Sequence, residues 1–90
     1  MTVCKGQLEL SVNYPGNDLN NGHLHKKKTV EECQAFCQAD PACVGFIYYT
    51  KKGQYFGSCY KKKTLGKRVG YPAAVGHIYG SRDACPKGIS

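Results

Sequence analysis

The feature that most restricts the fold of this chain is its cysteine content, which is six cysteines in 90 residues. A chain of this length buries only a modest share of its unfolded surface, so its hydrophobic core alone gives marginal stability. An even number of cysteines in a short chain indicates disulfide bonds, which persist in oxidising compartments. We therefore expect a small disulfide-stabilised domain of a secreted or extracellular protein.

The composition excludes two other classes of protein. Hydrophobic residues make up 41% of the chain and aromatic residues 11%, which is enough for a folded core and argues against disorder. No apolar run reaches transmembrane length, and the first residues lack the apolar segment of a signal peptide. We expect no membrane insertion. We also expect residues 1–90 to be a single domain of a longer secreted protein, with a disulfide-closed core at 4–85.

The net charge of +7 is concentrated in four short clusters, namely HLHKKK (23–28), TKK (50–52), YKKK (60–63) and GKR (66–68). One interpretation is that these lysines lie in loops and on edge strands, where they discourage aggregation. The other is that a basic face attracts sulfated glycans, anionic cell surfaces or acidic proteins. Nucleic acid would also suit a basic face, but an extracellular disulfide-bonded domain argues against it.

One segment, 29–40, has the pattern of a helix. Thr29, followed by Glu32 three residues later, forms a capping box at its start. Pro41 marks its end, because the residue before a proline disfavours the helical region. The apolar side chains of one face are expected to be buried; they are Val30, Cys33, Phe36 and Cys37.

The segment before the helix is predicted to contain a strand and then a loop. Leu8, Leu10 and Val12 alternate with polar neighbours over residues 7–13, which indicates a strand with one buried face. The following stretch, 13–22, is dense in Asn, Gly, Pro and Asp, which is typical of turns and loops.

The segment after the helix is predicted to form an antiparallel hairpin and a last strand. Residues 43–50 and 55–63 are rich in strand-forming side chains and flank a glycine-containing turn at 51–54. Residues 64–76 are predicted to be mostly loop, and 77–81 a short final strand. Aromatic residues occupy both phases of the hairpin, so the pattern does not decide which of its faces lies in the core.

The spacing of Cys33 and Cys37 excludes a disulfide between them. One helical turn places their Cβ atoms roughly 5–6 Å apart, whereas a disulfide needs about 3.5–4.5 Å. Each must therefore pair elsewhere. Cys37, near the helix end, could reach Cys43 beyond the turn. Cys33 could reach Cys59 on the hairpin.

Two other roles for the cysteines explain less of the sequence. A thioredoxin-like redox site needs two cysteines separated by two residues, and the chain lacks that spacing. A zinc site could combine Cys33 and Cys37 with His23 and His25, but it would leave the remaining cysteines unexplained. We therefore predict structural disulfides, with no metal and no cofactor.

The order of the motifs resembles that of the PAN/apple domain family. The segments that carry the resemblance are ECQAFC (32–37), DPACVGFIYY (40–49), GSCYKKK (57–63) and GHIYGSRDAC (76–85). The segment NYPGNDL (13–19) is similar to its counterpart in apple domains of apicomplexan microneme adhesins and related parasite lectins. The resemblance extends from Cys4 to Cys85, and within the family it points to one domain of a tandem-repeat microneme protein of an Eimeria-like parasite.

The resemblance implies an α+β fold in which one helix packs on an antiparallel sheet of about five strands. It also implies that the first cysteine pairs with the last, the second with the fifth and the third with the fourth, namely Cys4–Cys85, Cys33–Cys59 and Cys37–Cys43. Members of the family mediate adhesion. Some make protein–protein contacts, some parasite members recognise galactose, and a growth-factor relative binds heparin.

The chain shows no nucleophile elbow, phosphate loop or metalloprotease helix, so we predict a binding module with no catalytic residues. A sugar site needs an aromatic platform beside converging polar groups, which Tyr60 with its neighbouring lysines, or Asn17 with Asp18, could provide. The alternatives are that the tyrosines are half-buried in the sheet and that Asn17 and Asp18 stabilise a turn. The candidate ligand surface comprises Tyr60, Lys61, Lys62, Lys63, Lys67, Arg68, Asn17 and Asp18.

The predicted function is that of an extracellular adhesion module, secreted through the microneme organelle. It would bind another protein or a glycan during host-cell attachment and invasion, as one of several tandem domains acting by multivalency. Two narrower alternatives are a galactose-binding lectin domain and the binding of heparin or other sulfated glycans through the basic surface.

Overall fold

The computed structural model describes residues 6–19 and 25–85, which form five strands and one helix. In chain order the elements are β1 (Glu9–Leu10), β2 (His25–Lys26), α1 (Val30–Gln38), β3 (Gly45–Tyr49), β4 (Ser58–Lys62) and β5 (His77–Ser81). The strands form one sheet in the order β1-β5-β3-β4-β2, and every neighbouring pair is antiparallel. This arrangement confirms the predicted fold class, an α+β domain with one helix on a five-stranded antiparallel sheet.

The start of α1 is fixed by the predicted capping residues. The Thr29 hydroxyl accepts a hydrogen bond from the amide of Glu32 at 3.1 Å. The Glu32 carboxylate accepts one from the amide of Lys28, also at 3.1 Å. The reciprocal pair satisfies two amides that a helix N-terminus leaves without partners. In the span described here, no helix has the length and apolar character needed to cross a membrane.

The other end of α1 depends on Arg82, which follows β5, because the last turn of the helix contains no basic residue. Its Nη1 donates to the carbonyls of Cys37, Asp40 and Cys43 at 3.2, 2.7 and 2.9 Å. Its Nη2 donates to the carbonyl of Gln38 at 2.6 Å. A helix leaves its last carbonyls without partners, and a cation there complements the helix dipole. Arg82 therefore fixes the helix end to the sheet.

Two disulfides hold α1 against the sheet. Cys33–Cys59 joins the helix to β4, and Cys37–Cys43 joins its last turn to the segment before β3. These are two of the three bonds that the resemblance implies, and because both helix cysteines are oxidised, neither is a thiolate that could bind zinc. Cys85 is also disulfide-bonded. Cys4, the partner that the resemblance implies for it, lies outside the described residues.

The sheet has a core on each of its faces, and β3 contributes to both. Phe46 and Tyr48 face α1 and pack with the buried cysteines of the two disulfides. Ile47, between them, packs with Val12 and Tyr79 on the opposite face. The structure thus answers the question that the sequence pattern left open, because the hairpin is buried on both sides.

The N-terminal strand differs from its prediction. β1 contains only two residues, and Ser11 after it has a φ of 56°. This left-handed residue ends the strict alternation, so Leu8 packs on the helix side while Val12 joins the opposite core. Leu10 is 71% exposed. The prediction of one buried stripe of three residues is wrong because Ser11 changes the direction in which the chain runs.

The basic cluster at 23–28 contains β2, which pairs with β4 at one end of the strand order and carries Lys26, as expected for an edge strand with lysines.

On the helix, the polar side chain of Gln34 is buried. Its amide nitrogen donates to the carbonyls of Arg82 at 3.2 Å and Ala84 at 2.6 Å, which explains why a polar residue is stable there.

The two disulfides should differ in their contribution to stability because they close loops of different length. Replacing Cys33 and Cys59 by alanine, 26 residues apart, is expected to lower the free energy of unfolding by about 3–4 kcal/mol. Replacing Cys37 and Cys43, six residues apart, should lower it by about 2–3 kcal/mol. Urea unfolding of the two double variants measures the difference, and the opposite order would contradict the loop argument.

Arg82→Leu should remove the hydrogen bonds at the helix end and lower the free energy of unfolding by roughly 1.5–3 kcal/mol, the range for hydrogen bonds to charged groups. Arg68→Leu is the matched control. Arg68 pairs with Glu9 at 3.2 Å, but both side chains are largely exposed, so its loss should cost about 0–1 kcal/mol. Chemical denaturation of both variants provides the test, and equal losses would show that Arg82 does not stabilise the helix end.

Asp40 should make stability depend on acid pH. Its hydrogen bond with the Lys61 ammonium, together with the Ala42 amide, lowers the pKa of the Asp40 carboxyl below its usual 3.8. A depressed folded-state pKa stabilises the fold above the unfolded value, and this contribution is lost as the pH falls through the folded value. Asp40→Asn keeps an acceptor for Ala42 but removes the charge.

We therefore expect Asp40→Asn to lower the melting temperature at neutral pH, and to have a progressively smaller effect as the pH falls below 3.8. The exposed Asp83→Asn variant is the control for loss of a carboxylate. Thermal unfolding across this pH range measures both. A destabilisation by Asp40→Asn that stays constant with pH would rule out the charge as its cause.

Candidate functional site

A cleft lies on the sheet face opposite α1 and consists of two adjoining cavities. The first, here called the polar half, has a volume of about 330 Å³ and is lined by Asn13, Pro15, Gly16, Asp18, Ile47, Tyr60, Lys62 and His77. The second, the tyrosine half, has a volume of about 250 Å³ and is lined by Tyr49, Tyr55, Tyr60 and His77. Two side chains, Tyr60 and His77, line both, so the cavities lie side by side. Together they have the size of a small-molecule site.

The polar half is organised around the ammonium group of Lys62. This side chain is only 3% exposed, and its Nζ donates to the carboxylate of Asp18 and, at 3.1 Å, to the carbonyl of Gly16. A buried charge is stable only with such partners. An ammonium has three N–H donors, and within the described part of the chain the protein accepts two of them. One donor is therefore left for a ligand.

The loop that carries Asp18 is bound to β4 through its backbone as well. Asp18 forms an isolated antiparallel bridge with Lys62. The carbonyl of Asn17 accepts a hydrogen bond from the amide of Lys63 at 3.0 Å. These contacts fix the carboxylate of Asp18 beside the ammonium. Only its Oδ1 receives a hydrogen bond from the residues described, and Oδ2 is therefore available as an acceptor.

Aromatic and aliphatic side chains form the floor beside this ion pair. Ile47 and Tyr79 are buried, and Tyr14 and Tyr60 pack against them. The rings of Tyr14 and Tyr79 are 4.8 Å apart in an edge-to-face arrangement. Gly45 allows this packing, because a Cβ atom there would lie 2.8 Å from the ring and hydroxyl of Tyr79. Burial raises the pKa of the Tyr79 phenol, which keeps it protonated and uncharged.

The tyrosine half is held together by ring contacts. Tyr49 lies 4.8 Å from the ring of His77 and 6.4 Å from that of Tyr55, centroid to centroid. The Nδ1 atom of His77 is 3.2 Å from the carbonyl oxygen of Ala74. Because a carbonyl only accepts, this contact favours the tautomer in which Nδ1 carries the proton. Nε2 of the neutral ring is then an acceptor.

The structure divides the basic segment that was considered as one ligand surface. Alternation along β4 places Tyr60 and Lys62 in the cleft and Lys61 on the helix side. There the Lys61 ammonium binds Asp40 at 2.9 Å and lies 4.2 Å from the centre of the Phe36 ring. Lys61 is 9% exposed. The segment is therefore not one solvated basic edge, because neighbouring residues of a strand face opposite sides of the sheet.

The other candidate residues are also separated. Asp18 joins Tyr60 and Lys62 in the cleft, whereas its neighbour Asn17 has a φ of 59° and does not line the cleft. This left-handed conformation is typical of asparagine in a turn, and a role for Asn17 in ligand binding stays a prediction. Three basic residues are exposed and line neither half; they are Lys63, Lys67 and Arg68, the last of which pairs with Glu9.

A second cluster of charge lies on the helix side, around Phe36. The ammonium groups of Lys27 and Lys61 lie 4.4 and 4.2 Å from the centre of its ring, and the ring of His25 lies 4.7 Å from it. We call these four residues the Phe36 cluster. The Asp40 carboxylate, next to the cluster, pairs with Lys61, so part of the cluster's positive charge is neutralised.

Sequence reasoning missed most of the cleft. Five lining residues were not among the candidates: Asn13 lies before the helix, Ile47 and Tyr49 lie on β3, Tyr55 in the turn between β3 and β4, and His77 on β5. The fold brings these segments together. The available signal was the alternation within the strands, since β3, β4 and β5 each place alternate residues on the cleft side. In the described ranges, no group of three or more His, Cys, Asp or Glu side chains could hold a metal ion.

The fold and the cleft define a small disulfide-bonded α+β domain with a cleft on one face of its sheet. Residues 12–63 match the PAN domain family, and this segment includes the helix, the hairpin and both members of the Asp18–Lys62 pair. Because the match covers more than half of the 90 residues, the chain belongs to the PAN domain family. No curated protein is significantly similar to it. PAN domains are generally modules that bind proteins or carbohydrates and are typically non-catalytic, and a disulfide-rich PAN domain indicates an extracellular or secreted setting.

Proposed function

We propose that this domain is an extracellular adhesion module whose cleft binds a neutral carbohydrate. The observation that carries the proposal is the fixed Asp18–Lys62 pair next to the apolar surfaces of Ile47 and Tyr60. A sugar ring offers neighbouring hydroxyl groups, each of which can donate and accept, on a ring with an apolar face. The remaining N–H of Lys62 can donate to one hydroxyl, while Oδ2 of Asp18 accepts from the next. The apolar face of the ring then packs on Tyr60.

The same pair argues against an anionic ligand in this cleft. The charge of Lys62 is balanced by Asp18, and the carboxylate would repel a sulfate group brought beside it. A neutral ligand, in contrast, uses both groups without leaving either charge unpaired. A galactoside satisfies these requirements and agrees with the galactose recognition that the resemblance implies for some parasite members of the family.

We further propose that residues 1–90 form a single domain with a disulfide-closed core at 4–85. This domain would be one of several tandem domains in a microneme adhesin of an apicomplexan parasite. The support is the resemblance of residues 13–19 and of the cysteine framework to such domains. In that setting each domain would bind weakly, and linkage of several domains would raise the overall affinity. The protein would act in attachment to the host cell.

The test is a titration of the ¹⁵N-labelled domain with methyl β-galactoside and, separately, with a heparin oligosaccharide, each at physiological and high salt. We expect the galactoside to shift the amide signals of residues that line the polar half, namely Gly16, Asp18, Tyr60, Lys62 and His77. Its affinity should be independent of salt because a neutral ligand has no charge to be screened.

Two variants locate the binding site. Asp18→Asn removes the carboxylate, and because Lys62 then loses its charge partner, the spectrum of the variant must first show that it is folded. Tyr60→Leu leaves the ion pair intact and removes only the aromatic surface. Each is expected to weaken galactoside binding about tenfold or more, by loss of a charged hydrogen bond or of ring packing. Lys63→Ala, at an exposed lysine outside the cleft, is the control.

Two results would overturn the carbohydrate proposal. Salt-sensitive heparin binding that shifts only the Phe36 cluster would identify the domain as a binder of sulfated glycans. No response to any saccharide would favour a protein partner, which a pull-down from parasite and host extracts would then seek.

A further inference from the structure

We propose that the tyrosine half of the cleft is a second subsite, which binds the second ring of a neutral disaccharide whose first ring occupies the polar half. This inference rests on the proposed carbohydrate function of the polar half. It assigns a ligand size and a role to four residues, Tyr49, Tyr55, Tyr60 and His77.

The first argument is that the two cavities are adjacent. Tyr60 and His77 line both of them and therefore form their shared boundary. A ring held by Asp18 and Lys62 lies on one side of this boundary. It leaves the cavity of about 250 Å³ on the other side filled with water. A ligand with a second ring displaces that water from aromatic surface, which is favourable.

The second argument is the difference in chemistry between the halves. The polar half contains an ammonium and a carboxylate, which can discriminate between the hydroxyl arrangements of a first ring. The tyrosine half contains aromatic faces with hydroxyl and imidazole groups, and among the described residues no carboxylate or ammonium lines it. Such a surface can bind the apolar face of a sugar ring without requiring a particular arrangement of the ring's hydroxyl groups.

The third argument is that the walls of the tyrosine half are already in place. The Tyr49 carbonyl accepts from the amide of Gly57 at 2.8 Å, and the Tyr55 carbonyl accepts from the hydroxyl of Ser58 at 2.6 Å. These bonds fix the turn between β3 and β4, from which Tyr55 projects toward Tyr49. Tyr55 is nonetheless 51% exposed. A positioned but exposed aromatic ring can bury surface on a ligand without first reorganising the protein.

The experiment compares lactose with methyl β-galactoside by calorimetry and by ¹⁵N titration of the whole domain. Lactose should bind about three- to tenfold more tightly, the gain expected from one additional aromatic contact. It alone should shift the amides of Tyr49 and Tyr55. Tyr55→Ala should reduce the ratio of the two affinities to near one. Phe56→Ala is the matched control, because Phe56 is the adjacent aromatic, is 48% exposed and lies outside the cleft.

Failure of this inference is distinguishable from failure of the proposed function. If both sugars bind with equal affinity and both shift Asp18 and Lys62, the second subsite is wrong and the carbohydrate function stands. A lactose advantage that survives Tyr55→Ala, or that Phe56→Ala removes equally, also overturns the second subsite. If neither sugar binds, the carbohydrate function is wrong, and the proposed second subsite is wrong as well.

Discussion

The buried Cys33–Cys59 disulfide is the contact on which the rest of this domain depends. The helix has nine residues, which is too short to be stable alone in water. The disulfide joins its middle to β4, while Cys37–Cys43 and the guanidinium of Arg82 hold its end. With the helix fixed, one face of the sheet is covered by a short and rigid layer. On the opposite face of the sheet, the loop that carries Asp18 forms one side of the cleft.

That loop is held by backbone contacts to β4 and by the buried ammonium of Lys62, and the ammonium links stability to function. Lys62 binds Asp18 and Gly16 of the segment before the helix, and so it closes the polar half of the cleft. The same pair supplies the donor and acceptor proposed to bind a sugar. A substitution at Lys62 or Asp18 affects both the stability of the fold and ligand binding. A substitution at Tyr60 or Tyr55 mainly changes the protein surface that would contact the ligand. The variants proposed above separate these effects for that reason.

Local sequence signals were sufficient to predict the helix, the hairpin and the last strand. The capping box at Thr29 and the break at Pro41 defined the helix because they act within a few residues of each other. A strand was correctly predicted within residues 7–13, but its length and its single buried face were wrong, because the left-handed conformation of Ser11 has no signal in the alternation of its neighbours. The cleft was only partly predicted. Asp18, Tyr60 and Lys62 were among the candidates, whereas the other lining residues are brought to the cleft only by the tertiary fold.

The charge of the chain shows why a basic composition did not identify the site. Lys61 and Lys62 are adjacent in sequence, yet each pairs with its own aspartate on a different side of the sheet. Lys27 lies over an aromatic ring, and lysines such as Lys26 and Lys63 are exposed. The excess positive charge therefore lies mostly outside the cleft, where it can attract anionic cell surfaces at long range without selecting a ligand. Selection, in the function proposed here, comes from a neutralised pair and four aromatic rings. Long-range attraction to the cell surface and ligand binding in the cleft therefore respond differently to salt. Added salt would weaken the attraction and leave binding in the cleft unchanged.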